Sequence, residues 1–382
     1  MKEKGMIQLQ RTGRFAVAVM LMAGLGLAPA AAAEPAAPKH APNPKIAALP
    51  VNAWVRVADK QPAPDGILAY AGGIFDSEHN VYLLFGGGHA DYWGNEVCAL
   101  DIKALTWKRM YEPDAQARYT NDNIDHAKGK LKDSDKPYTR HSYQMQVFVP
   151  TAKKMFIWSG CGPGWGKIAP TCVSPKDAWY YDCGANKWEL VATDGPACYG
   201  GGTCYDSKRD AIWALPGVSW PKLWKFDVKT AKWSSHALKP ESSATCHLDL
   251  VYNPKRDLIA AAVGERQKAY VINPETFTVE QPDTSLYKPH GGGGMVYLPE
   301  QDVAVNVFKE GGVLDFETRK WYPLAPGKVF EGSSWIYGNC NYSPIDKVII
   351  VVNAKGTWAY KPPEKYDLAA LAKSQSAPDP GK

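Results

Sequence analysis

The sequence predicts a single all-β domain of six four-stranded sheets around one axis, a β-propeller, on three observations. First, an aspartate is followed six residues later by a tryptophan at Asp101/Trp107, Asp182/Trp188, Asp227/Trp233 and Asp315/Trp321, with a degenerate copy at Asn273/Val279. Second, the steps from Asp101 through Asp182, Asp227, Asn273 and Asp315 to Tyr360 are 81, 45, 46, 42 and 45 residues. A period in the forties marks a four-stranded blade repeated about an axis. Third, turn residues separate apolar runs of strand length in every repeat, as at Asp76-Ser77-Glu78-His79-Asn80, Asp206-Ser207-Lys208-Arg209-Asp210 and Asn253-Pro254-Lys255-Arg256-Asp257.

Taken from the N-terminus, residues 1–33 read as a secretory signal. Lys2, Lys4, Arg11 and Arg14 precede an apolar Phe15-to-Leu27 core, and small residues through Ala33 offer cleavage sites. The apolar run is too short to span a membrane and no second one follows, so the expected location is exported, periplasmic or secreted. Residues 34–50 are Pro/Ala-rich and read as a linker, 51–362 as the propeller, and 363–382 as a disordered tail. The last repeat lacks an outer strand because Lys361-Pro362-Pro363 breaks the chain. Ala53-Trp54-Val55-Arg56-Val57 resembles Thr106-Trp107-Lys108-Arg109-Met110, so strand exchange between the termini is expected to close the ring and remove its open edges. The 81-residue step leaves room for a seventh blade. Residues 111–137 are charged and lack alternation, however, and read as an insertion.

The first repeat, Leu83-Leu84-Phe85-Gly86-Gly87 through Leu100-Asp101 to Trp107, resembles the kelch repeat. Other copies lack the full glycine pair: the fourth has Gly264 alone and the third Pro216-Gly217. The resemblance covers nearly the whole mature chain and implies a kelch-like propeller; it is nearly silent on chemistry.

Most of the formal +5 charge sits in the leader, whose four bases face Glu3 alone, so the mature chain is near +2 and carries no nucleic-acid footprint. Eight cysteines, an even number, suit an exported chain, although they allow 105 pairings. Cys161–Cys172 and Cys198–Cys204 bracket Gly-rich loops and are the preferred disulfides, with Cys98 and Cys340 expected to be free and buried.

Residues preceding the innermost strand of each blade, and those following the second strand, meet at the axial mouth, where function concentrates. His89, His141, His247 and His290 fall at such positions in four different blades, whereas His40, His79, His126 and His236 do not. Around them stand Asp91, Tyr92, Trp93, Asn95, Tyr138, Arg140, Tyr143, Trp158 and Trp165. A histidine opening an inner strand can equally serve by bonding a neighbouring blade's backbone. The 111–137 insertion returns beside this mouth and reads as a lid over it, or else as a solvated loop.

Propeller-fold polysaccharide lyases use histidine, tyrosine and arginine at this face, some with a divalent metal. No lyase-specific motif is present, but the residues match what β-elimination asks for: Arg140 would neutralise a uronate carboxylate, His141 or His89 would abstract the C5 proton, and Tyr92 or Tyr138 would protonate the leaving oxygen. Asp91, Trp93, Asn95, Tyr138 and Trp158 would bind substrate, and His247 and His290 would ligate a divalent metal ion if one is used. The expected partner is therefore an anionic polysaccharide or oligosaccharide acted on by a monomer, with no nucleic acid and no membrane span. A non-catalytic propeller binding glycan or protein at the same mouth is the alternative. The segment Tyr138-Thr139-Arg140-His141-Ser142 is also faintly similar to the Tyr-His pair of the galactose oxidase family, which would imply a copper-radical oxidase.

Overall fold

The computed structural model describes residues 39–87, 92–163, 172–217, 222–240, 246–264, 267–324, 330–332 and 336–374. The signal reading at 1–33 lies outside them. A short helix α1 (Pro44–Ala47) and strand β1 (Trp54–Ala58) precede blade one, which is β2 (Gly72–Asp76), β3 (Val81–Phe85), β4 (Val97–Asp101) and β5 (Thr106–Arg109). The insertion forms a hairpin of β6 (Ile124–Asp125) and β7 (Lys130–Leu131). Blade two is β8 (Gln146–Val149), β9 (Lys154–Trp158), β10 (Ala178–Asp182) and β11 (Lys187–Ala192). Blade three is β12 (Gly202–Asp206), β13 (Ala211–Leu215), β14 (Lys222–Asp227) and β15 (Lys232–Ala237). Blade four is β16 (Leu248–Asn253), β17 (Leu258–Val263), β18 (Lys268–Ile272) and β19 (Val279–Glu280), and blade five is β20 (Met295–Leu298), β21 (Val303–Asn306), β22 (Gly312–Asp315) and β23 (Lys320–Pro323). The sixth sheet is β24 (Cys340–Ser343), β25 (Val348–Asn353) and β26 (Gly356–Tyr360), completed by β1 as its fourth strand. Six antiparallel blades stand in a ring, and the seventh-blade alternative falls away.

The Asp-x5-Trp repeat has a direct structural cause. The aspartate ends the third strand and its carboxylate caps the following turn: Asp101, Asp182 and Asp227 accept the N–H groups of Ala104, Ala185 and Thr230 at 2.8–2.9 Å. The fourth turn residue is left-handed in each full outer hairpin, at Leu105, Asn186, Ala231, Phe277 and Arg319. The tryptophan then pairs with the residue before the aspartate, as Trp107 with Leu100 and Trp233 with Phe226. Asn273 substitutes for aspartate because its amide oxygen accepts the same kind of turn N–H, from Glu275 and Thr276. Because side chains alternate across a strand, a one-residue slip would turn every tryptophan to the wrong face.

Closure follows the expected exchange. Trp54 pairs with Tyr360, and its ring lies 4.5 Å from Phe330 and 5.2 Å from Tyr360. Two flanking segments differ from expectation. In the expected linker, Ile46 is buried in the core of blades one and six, and Asn43 bonds Asp346 and the Ile102 carbonyl. In the expected tail, Tyr366 is buried and packs with Leu368 and Leu371 of helix α2 (Leu368–Ser374) on the core that joins blades five and six. Apolar residues at both ends thus find adjacent hydrophobic faces. No helix among the described residues is long and apolar enough to cross a membrane.

Cys161 and Cys172 form a disulfide, and Cys98 and Cys340 are buried and free. Cys198 and Cys204 are free as well, against expectation. They belong to different cores: Cys198 packs where blades two and three meet and Cys204 where blades three and four meet.

The inner strands contact one another around the axis. Gln144 reaches across it, accepting the Leu250 N–H and donating to the Met295 carbonyl. On the far side, a neutral cavity of about 350 Å³ runs to the face of the first turns, where Phe75, Phe148, Tyr205, Tyr252, Tyr297 and Tyr342 line it, one from each blade.

The closing tryptophan is 7% exposed. Trp54→Ala is expected to destabilise the protein by about 3–5 kcal/mol, measured as a lower denaturant midpoint.

Candidate functional site

Each inner strand is approached through a left-handed residue. These are Tyr70 (φ 60°), Tyr143 (44°), Gly200 (65°), His247 (66°), Gly292 (75°) and Tyr337 (53°), with Gly294 (82°) as a second in blade five. Glycine adopts this conformation freely, whereas an L side chain pays about 1–2 kcal/mol. Four blades therefore carry strain that glycine would relieve, and such strain collects at functional sites. Backbone bonds between blades hold it in place: the N–H of Tyr143 donates to the Tyr70 carbonyl at 2.9 Å and that of Tyr337 to Gly292 at 2.6 Å.

The four strained residues and His141 form one ring cluster. Tyr70 stacks on His141 at 4.8 Å and lies 4.7 Å from Tyr337. His247 is 5.5 Å from Tyr143, 5.6 Å from Tyr337 and parallel to Tyr70 at 6.0 Å. His141 and Tyr143 are buried, while Tyr70, His247 and Tyr337 remain half-buried. Burial, and after it Cys246 and the neighbouring phenols, lifts the Tyr143 hydroxyl well above its ordinary range; burial and Tyr70 do the same for Tyr337. The Tyr143 hydroxyl stands 3.4 Å from His141 Nδ1. The His141 backbone exchanges two bonds with Cys161, at 2.9 and 3.3 Å, so the disulfide-bonded loop anchors it.

Of the residues expected here, the structure brings His141 and His247 together. His89, Asp91 and Trp165 lie outside the described residues. Arg140, expected to meet a substrate carboxylate, is fully buried and turned into the blade. It binds both Asp177 oxygens at 2.9 Å, the Ser159 carbonyl at 2.8 Å and the Gly129 carbonyl of the insertion at 2.6 Å. It pins the insertion to blade two and has no N–H left for a ligand. Tyr138 is buried beneath the Arg140 guanidinium, 4.8 Å from it, and is thus separated from the His141 cluster. The Tyr-His pairing implied by the oxidase likeness is not formed by these two. Tyr92 donates to Glu96 inside blade one. Trp93 packs with Tyr119, Ile124, Leu131 and Tyr138 in a small core that makes the insertion a folded element, not a solvated loop.

Asn95 is equally committed, binding Asp114 and the Pro137 carbonyl, so it ties the two ends of the insertion together. Trp158 is buried with its indole N–H on Thr203. His290 stacks on Phe308 at 4.2 Å, its Nδ1 2.6 Å from the Gly291 carbonyl. Neither His247 nor His290 belongs to a group of three or more metal-ligating side chains among the described residues.

Tyr70 and Tyr337 escaped the sequence reading because the rule for the axial mouth was applied to histidines; applied to tyrosines it selects both. Asp249, two residues past His247, also went unrecognised. It is fully buried: its Oδ2 accepts the Gly294 N–H at 3.0 Å and its Oδ1 has no partner among the described residues. Burial pushes its carboxyl well above the carboxylate range, against the N–H groups of Gly294, Gly292 and Gly293, which pull it down.

Two outcomes follow from these buried groups. Arg140→Met leaves Asp177 as a lone buried charge and is expected to cost about 3–5 kcal/mol, read from chemical unfolding. For Asp249, the folded protein holds a proton that the unfolded chain has released at any pH between the ordinary carboxylate value and the raised one. Stability therefore falls as pH rises through that window, by up to about 1.4 kcal/mol per pH unit. Asp249→Asn is expected to remove this slope and to raise stability at neutral pH, as denaturant titrations at two pH values would register.

No protein-family model matches the chain, and no curated protein matches it. Among solved structures, a structural genomics protein of unknown function from Bacteroides thetaiotaomicron VPI-5482 is similar with a TM-score of 0.52 at 11% identity, over 81% of this chain and 75% of that one. A likeness at that identity speaks to the fold alone, and it supports a propeller.

Proposed function

We propose that the protein is an exported carbohydrate-active propeller whose axial ring cluster cleaves uronic-acid-containing polysaccharide by β-elimination. One observation carries this reading: a half-buried imidazole, His247, stands 5.6 Å from Tyr337 and 5.5 Å from Tyr143, on backbone strained to present them. His247 is the reachable base. It would take the C5 proton, the C5–H electron pair would form the C4–C5 double bond, and the C4–O4 bond would break. Tyr337 would return a proton to the departing O4, and Tyr70 would offer its ring face to the sugar. His141 and Tyr143, buried beneath, would hold these groups in place.

β-Elimination also asks for a positive charge at the substrate carboxylate, and Arg140 is committed to Asp177. That pairing favours the second reading, a non-catalytic propeller that binds glycan at the same mouth.

Digests of alginate, glucuronan, pectate and ulvan distinguish the two. A lyase releases an unsaturated uronate that absorbs in the ultraviolet. His247→Ala and Tyr337→Phe should each then lower the rate by about 10²–10⁴-fold with little change in the unfolding midpoint. Glycan affinity without such a product would leave binding alone; no product and no affinity on any of the four would sink both readings for uronans.

A further inference from the structure

On the face of the first turns, far from the ring cluster, turns are stapled to the next blade, and in blades three and four the staple sits at the same place in the repeat. In blade three, Arg209 is the third residue after Asp206, whose Oδ1 accepts its N–H at 3.1 Å. Its guanidinium reaches blade four, to Asp257 at 2.6 and 2.8 Å and to Glu275 of the outer turn at 2.8 Å. Arg256 of blade four reaches Asp302 at 2.8 Å and Glu317 at 3.2 Å in blade five. Between blades six and one, Asn43 bridges Asp346 and the Ile102 carbonyl.

Blade one breaks this pattern in its chemistry while keeping the geometry. His79 occupies the arginine position, with its N–H on Asp76 Oδ1 at 3.1 Å and its Nδ1 2.8 Å from Asp76 Oδ2. In the blade-two outer turn that it faces, Gly184 stands at the position of Glu275 and Glu317, so no acid is offered there, and the adjacent Cys183 supplies a thiol instead. One ligand atom from each of Asp76, His79 and Cys183 lies within 4.8 Å of the others. Gly184 makes room for the imidazole, since a Cβ there would stand 2.9 Å from His79 Nε2.

We propose that Asp76, His79 and Cys183 form a binding site for a zinc-type divalent cation that staples blade one to blade two. A thiolate, an imidazole and a carboxylate are the donors that such an ion takes, and three protein ligands leave a fourth tetrahedral position for water. Binding deprotonates the Cys183 thiol and releases that proton to solvent. The site rests on side chains from two blades, and it is independent of the chemistry proposed for the axial cluster.

Cobalt(II) added to the mature protein serves as the probe. One equivalent should generate a thiolate-to-cobalt charge-transfer band in the near ultraviolet, displaced by zinc. Cys183→Ser should abolish the band, and His79→Ala should weaken cobalt binding by at least about 10–100-fold. Zinc should also raise the melting temperature of the parent protein and leave that of Cys183→Ser unchanged. Absence of a band, or a band that survives Cys183→Ser, overturns the site. Because neither variant touches the ring cluster, its failure would leave the axial reading intact.

Discussion

The pairing of β1 with β26 is the constraint on which the rest of the molecule depends. A sheet ring with one three-stranded blade would leave a row of unpaired backbone groups at its last edge. By borrowing Trp54–Ala58 from the N-terminus, the sixth blade gains the outer strand that its own chain cannot supply past Pro362. Closure also fixes the angle between neighbouring blades, and that angle sets how the six inner strands approach the axis. Asn43 and Ile46 on one terminus, and Tyr366 and Leu368 on the other, extend the same joint.

The ring imposes a left-handed residue at the start of every inner strand, and the sequence answers the demand in two ways. Gly200 and Gly292 accept the conformation without strain, whereas Tyr70, Tyr143, His247 and Tyr337 hold it against a steric cost. The interblade backbone bonds beside them are what make the strained form the lower in energy. Large rings presented from four blades then bury one another, and burial raises the phenol values. A single backbone requirement thus accounts for the placement and the strain of the cluster.

The two faces are chemically distinct. Gln144 lies across the axis between the ring cluster and a neutral cavity rimmed by six aromatics. The insertion, clamped by Arg140, Asn95 and the Trp93 core, is built into the mouth face as a fixed wall. The opposite face is held by ion pairs between turns, such as Arg209 with Asp257 and Arg256 with Asp302.

Much of this was legible in the sequence because it rests on contacts a few residues apart. The Asp-x5-Trp spacing encodes a turn whose carboxylate caps an N–H three residues on, and that turn registers the outer strand. The closing strand was readable from its likeness to the Trp107 strand, and the Cys161–Cys172 bridge from the short loop it spans. What the tertiary structure alone decided involves residues that meet across blades. Arg140 finds Asp177, thirty-seven positions away in sequence, and leaves the mouth. Cys198 and Cys204, six apart, enter two different cores, Cys198 ahead of the inner strand β12 and Cys204 on it. Tyr70 and Tyr337 reach the same axis from opposite ends of the chain. Local hydrogen bonds determine a repeat from sequence; which side chains share a site depends on the angles at which closed blades meet.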